Sequence, residues 1–164
     1  MLKSFKELLE EAEKEVKGTF SKLELDETSR EKLYKWLTDK EIQNLVETSD
    51  YHVTVVYSRK YVPELEKMDP KLPIYVKPIG WDIFGKDKLL VLKLDPIEIE
   101  KIHDEAISLG ATDDFPDFIP HISVAINFTS DIPSEIPKLK FKLNSYVTED
   151  LDFDFDYSSG ETDE

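Results

Sequence analysis

One strand–helix–strand unit occurs twice in this chain, and that repeat limits its folds more than any other feature. Leu23-Glu24-Leu25-Asp26 ends 26 positions before His52, and Leu92-Lys93-Leu94-Asp95 ends the same 26 before His121. A helical pattern fills each interval, over 29–40 in the first copy and 96–109 in the second. At the shift of 69 residues, Leu33 falls on Ile102 and Leu37 on Ala106. The unit is used without an insertion, so equivalent residues should occupy equivalent places in two pseudo-symmetric lobes.

Each unit closes on a strand of the same design. The first reads Tyr51-His52-Val53-Thr54-Val55-Val56-Tyr57-Ser58, the second Pro120-His121-Ile122-Ser123-Val124-Ala125-Ile126-Asn127. Strand side chains alternate between faces with a period of two. His52 and Thr54 therefore share a face, as do His121 and Ser123. Strict alternation would continue that open face through Val56 and Ser58 in one copy and through Ala125 and Asn127 in the other. It would bury Val53, Val55 and Tyr57 against Ile122, Val124 and Ile126.

Two imidazoles across a groove can divide acid and base work, because their pKa of about 6.5 lets either hold or release a proton near neutrality. A phosphodiester suits them: one neutral histidine takes the proton of an attacking hydroxyl and the other, protonated, supplies the leaving oxygen. Hydroxyls two residues along, Thr54 and Ser123, can donate to non-bridging phosphate oxygens. A single His-x-Ser/Thr arises by chance. Two of them at equivalent points of a repeat read as one catalytic set: His52, Thr54, His121 and Ser123. This chemistry calls for no metal and no cofactor.

The remaining composition narrows the partners. The length of 164 residues fits one domain, expected over 1–150 with an amphipathic helix at 2–17 and an acidic edge strand or tail at 151–164. The first residues read as neither signal nor transit peptide, and no apolar run reaches the roughly 18 residues of a membrane span. The absence of cysteine excludes disulfides and thiolate zinc sites and fits a reducing cytoplasm. Net charge is −15, of which residues 149–164 supply eight acids and no base. Duplex nucleic acid needs a basic footprint that this chain lacks, whereas a small nucleotide needs only a few local donors.

Several other residues are candidates for holding such a ligand. Trp81, beside Gly80, can stack on a base, and Phe20 is a second platform. Arg59, at the exit of the first histidine strand, can meet phosphate, and Glu149, at the exit of the last strand (139–148), can accept from a base edge. Trp36 and Tyr75 read as packing residues, and His103 as a surface residue on the second helix.

His52-Val53-Thr54-Val55 and His121-Ile122-Ser123-Val124 resemble the paired motifs of the two-histidine (2H) phosphoesterases, which include RNA 2′,3′-cyclic phosphodiesterases. The likeness runs from about Gly18 to Thr148. Gly18-Thr19-Phe20, Tyr57-Ser58-Arg59-Lys60-Tyr61 and Asp117-Phe118-Ile119-Pro120-His121 are similar to the tailed-phage branch, the anti-CBASS phosphodiesterases. The resemblance implies a bilobal, LigT-like α+β fold with the histidine strands central to a groove. It also implies metal-independent cleavage of 3′-5′ bonds in cyclic di- or trinucleotide defence signals, in the cytoplasm of an infected bacterium. The alternatives are processing of RNA 2′,3′-cyclic phosphates and a sponge that binds the nucleotide intact.

Overall fold

A computed structural model of the chain describes residues 17–113 and 117–152. The helix expected at 2–17, apart from Lys17, the centre of the acidic loop 113–117 and the tail beyond 152 lie outside the described residues. In chain order the elements are β1 (Lys17–Leu25), α1 (Glu27–Asp39), β2 (His52–Ser58), β3 (Ile74–Val76), β4 (Pro78–Phe84), β5 (Leu89–Leu94), α2 (Ile97–Ser108), β6 (His121–Ala125) and β7 (Phe141–Asp152). The strands form two antiparallel sheets, ordered β2-β1-β7-β3 and β4-β5-β6.

Local chemistry starts and stops these elements. Asp26 caps α1, its Oδ1 accepting from the Ser29 amide at 2.8 Å. The Ser29 hydroxyl in turn accepts from the Lys142 amide at 2.9 Å, which ties the start of the helix to β7. Gly110 ends the second unit's helix at φ +109°, a conformation that favours glycine. Between β4 and β5 the turn at 85–88 closes with the Lys88 amide donating to the Gly85 carbonyl.

The main apolar core draws on both sheets and both helices, including Leu23, Leu33, Leu37, Val53, Leu92, Ile99, Ala106 and Ile122. The helices thus cover the same side of both sheets. β2 and β6 are edge strands that approach one another. The segment entering β2 stitches this seam: the Val46 amide donates to Val124 O and the Ile126 amide to Asn44 O, each at 3.0 Å. With the core on one side, the open faces of β2 and β6 adjoin on the other.

The repeat reappears as strand register. Glu24 faces His52 and Lys22 faces Thr54 across β1 and β2, while Lys93 faces His121 and Val91 faces Ser123 across β5 and β6. Every one of these residues is 69 positions from its counterpart. The irregularities match as well. Ser21 pairs with Val56 and Leu90 with Ala125, so Val55 and Val124 are the extra residues of two equivalent β-bulges.

These bulges overturn the strict alternation expected above. A bulge sets two residues opposite one and resets which face follows. Val56, Ser58 and Ala125 are therefore buried rather than open, Tyr57 stays half-exposed, and Ile126 is exposed rather than buried. Asn127 lies past the end of β6 at φ +53°. Three further expectations change. β7 runs on to Asp152, so Glu149 lies within the strand rather than at its exit. Tyr75 is exposed on the edge strand β3, with Lys140 Nζ 5.5 Å from its ring, because its neighbours in β3 take the inward positions. His103 is buried, because α2 packs this face against β2.

Candidate active site

Both motif histidines open a strand, and both are half-buried. His52 Nδ1 lies 2.8 Å from Asp50 O and His121 Nδ1 lies 2.7 Å from Ile119 O. A carbonyl can only accept, so Nδ1 carries the proton in each ring and exchange with a ligand falls to Nε2. The carbonyls used are themselves 69 residues apart. The repeat therefore reproduces the tautomer and orientation of the imidazoles as well as their positions.

The hydroxyls beside them are matched too. Thr54 Oγ1 and Ser123 Oγ are buried and have no hydrogen-bond partner among the described residues. An unmade hydrogen bond of a buried hydroxyl costs about 1–3 kcal/mol. At both equivalent positions, each two residues from a histidine, a donor is left available to a bound group.

Aromatic rings flank both imidazoles. Phe20 on β1 meets His52 edge-on at 5.8 Å and Tyr57 at 5.6 Å. Phe84 on β4 meets His121 edge-on at 4.9 Å. Phe84, Leu89 and Val91 form a small apolar cluster apart from the main core, on the strand face that carries Ser123. Charges lie along the same rows. Lys22, in register with Thr54, is 3.3 Å from Glu149. Glu24, in register with His52, accepts from Ser145 Oγ at 3.0 Å, and Lys93, in register with His121, is 3.9 Å from Asp82.

Of the expected ligand-holding residues, Phe20 and Glu149 are brought together: they pair across β1 and β7, beside His52 and Lys22. Trp81 is not. It pairs with Leu92, whose side chain enters the core, and it stacks on Trp36 at 5.7 Å while Nε1 donates to Glu135 O at 2.8 Å. Strand parity sends Trp81 to the helix side and Phe84 to the histidine side. Arg59 is also remote. It is exposed one residue past β2, and at about 3.3 Å per residue its backbone lies roughly 20 Å along the strand from His52. Tyr57, Phe84, Lys22 and Lys93 were missed. Only register and bulges reveal them, although Lys22 and Lys93 could have been found by counting back from each histidine in an antiparallel pair.

Among the described residues no group of three or more His, Cys, Asp or Glu side chains gathers to hold a metal ion. No described helix is long and apolar enough to cross a membrane.

Known proteins resemble this chain in sequence and in fold. The sequence profile of the family described as "Anti-CBASS protein Acb1" matches residues 17–158. The Acb1 protein of Acinetobacter phage Ac42 is 33% identical over 154 residues, 85% of this chain and 94% of that protein. That of Vibrio phage KVP40 is 29% identical over 112 residues, 68% of this chain and 74% of that protein. Among solved structures, the TT0787 protein of Thermus thermophilus superposes with a TM-score of 0.62 at 15% identity, covering 79% of this chain and 86% of that one. E. coli LigT complexed with 3′-AMP gives 0.58 at 15% identity, covering 80% and 85%. At such identities the structural likeness concerns the fold, which is LigT-like.

Proposed function

The chain belongs to the anti-CBASS Acb1 family, and on that premise we propose that it is a phage counter-defence phosphodiesterase that cleaves cyclic di- or trinucleotide signals with His52 and His121 as its acid–base pair. The observation that carries this reading is the doubled geometry: two imidazoles, each held through Nδ1 by the carbonyl two residues back, and each accompanied by an unpartnered hydroxyl.

A neutral imidazole takes the proton of a ribose 2′-hydroxyl at Nε2 as that oxygen attacks the adjacent phosphorus. The other imidazole gives its Nε2 proton to the departing 5′-oxygen. The ring opens and leaves a 2′,3′-cyclic phosphate, which water can open by the reverse assignment of roles. Thr54 and Ser123 donate to the non-bridging oxygens, and Lys22 offsets the charge that develops there. Tyr57, half-exposed, offers a face for a base, the buried Phe20 and Phe84 back the two imidazoles, and Glu149 offers an acceptor for an exocyclic amine. Nothing in this scheme uses a metal, and the site of action would be the cytoplasm of the infected bacterium.

The test is to incubate the protein with a cyclic dinucleotide in excess EDTA and separate the products by chromatography. Linear nucleotides ending in a 2′,3′-cyclic or monoester phosphate are expected. Bound but intact ring would make the protein a sponge. Intact ring beside hydrolysis of an RNA 2′,3′-cyclic end would make it an RNA-end enzyme. Turnover only on adding a divalent metal would reject the two-histidine mechanism.

A further inference from the structure

We propose that His103, a third histidine outside both motifs, is a positioning residue that sets the two catalytic strands against each other; the proposal rests on the phosphodiesterase reading above. His103 is only 7% exposed, whereas Tyr34, its counterpart in the repeat, is 43% exposed. One copy of the unit thus buries an imidazole where the other leaves a phenol at the surface. A buried polar ring is tolerated when its hydrogen bonds are made, and the Nδ1 bond and the ring face of His103 both reach toward the active site.

Its Nδ1 donates to Val55 O at 2.7 Å. Val55 is the extra residue of the first bulge, next to Thr54. The equivalent carbonyl in the second unit, Val124 O, takes a main-chain donor instead, the Val46 amide. Both bulge carbonyls are therefore satisfied, but only the first depends on a side chain. The His103 ring also lies flat on Phe118, with centroids 3.9 Å apart and planes 8° apart. Phe118 precedes Ile119, whose carbonyl holds the His121 ring. Asp113 Oδ2 lies 3.4 Å from Nε2, at the far edge of the imidazole. One side chain on α2 thus ends one residue from Thr54 on the first strand and one residue from the carbonyl that orients His121 on the second.

Acid and base must be held together within a fraction of an ångström, and a misplacement of about 1 Å is worth on the order of 10² in rate. Loss of His103 should therefore act on kcat more than on KM. His103→Phe keeps a ring against Phe118 and removes the donor. Its kcat on a cyclic dinucleotide is expected to fall at least tenfold, with KM within threefold of wild type. His103→Asn places an amide near Nδ1 and is expected to restore kcat to within threefold. His103→Leu, the apolar match to asparagine, should behave as phenylalanine does and replaces it if the phenylalanine variant does not fold. Should neither fold, the asparagine variant decides alone.

The imidazole spectra of His52 and His121 provide a readout separate from turnover. Both sets of resonances should move in the phenylalanine or leucine variant and return in asparagine. If the wild type proves inactive on cyclic nucleotides, the functional reading fails and the spectra alone judge His103. The proposal is overturned by a folded phenylalanine or leucine variant with kcat within twofold of wild type, by an asparagine variant as impaired as these, or by unchanged spectra.

Discussion

Thr54 and Ser123 illustrate how far single residues govern this site. Their hydroxyls are buried without a hydrogen-bond partner among the described residues, so on the proposed mechanism removing them should cost the fold little and the bound phosphate much. Thr54→Val and Ser123→Ala should each lower kcat/KM about tenfold to hundredfold, as loss of one preorganised donor does, with no fall in melting temperature. Unchanged kinetics would assign both hydroxyls to packing. Tyr51, beside His52, is the opposite case. It is fully buried, its hydroxyl has no partner among the described residues, and burial, with Tyr34 adding to it, pushes the phenol up to about 12. The folded state therefore favours the neutral phenol. That contribution is complete below the ordinary value near 10 and is lost as pH rises from about 10 to 12. Tyr51→Phe should leave the melting temperature at pH 7 unchanged or raised and should flatten its decline between pH 10 and 12. A wild-type slope in the phenylalanine variant would place the alkaline transition elsewhere.

Among the elements, the histidine strands were legible up to their bulges and no further. His52 to Thr54 and His121 to Ser123 alternate as the sequence implies. Val55-Val56 and Val124-Ala125 contain no glycine or turn residue to mark an inserted position, so Tyr57 and Ile126 were assigned to the wrong face. The same parity problem separated Trp81 from Phe84: both lie on β4, and only its register with β5 decides which ring meets His121. Helix α1, expected over 29–40, starts earlier, at Glu27, because Asp26 caps it. Ser29 donates to the Asp26 carboxyl and holds it below the usual carboxylate range, its side-chain contribution exceeding that of the backbone. The stabilisation from a lowered carboxylate is present above its unfolded value near 4 and is lost as pH falls through the folded one. Asp26→Ala should cost about 1 kcal/mol at pH 7, a drop of roughly 2–4 °C, and should lose less stability than wild type on acidification below pH 4. Equal losses at both pH values would contradict the cap.

For the whole molecule, the repeat carried most of the architecture, because a shift of 69 residues turned out to be a statement about strand pairing. β3 and β7 have no counterpart in that repeat, so the placement of Glu149 next to Phe20 could not be derived from it. The net charge of −15 also bears on how a ligand is held. A strongly acidic protein repels an anionic nucleotide at a distance, which leaves the binding to aromatic faces and local donors. Raising salt from about 50 to 200 mM should leave KM for a cyclic dinucleotide unchanged or lower it, since screening weakens repulsion. A steep rise in KM would point to an unrecognised basic surface. The reading as a whole rests on the two histidines acting as one acid–base pair, and the pH dependence of kcat/KM in wild type, His52→Ala and His121→Ala tests that most directly. The wild type is expected to give a bell-shaped profile, and each folded variant to lose at least 10²-fold at the optimum and one limb of the bell. Retention of more than about a tenth of wild-type activity by either variant would contradict the acid–base pair.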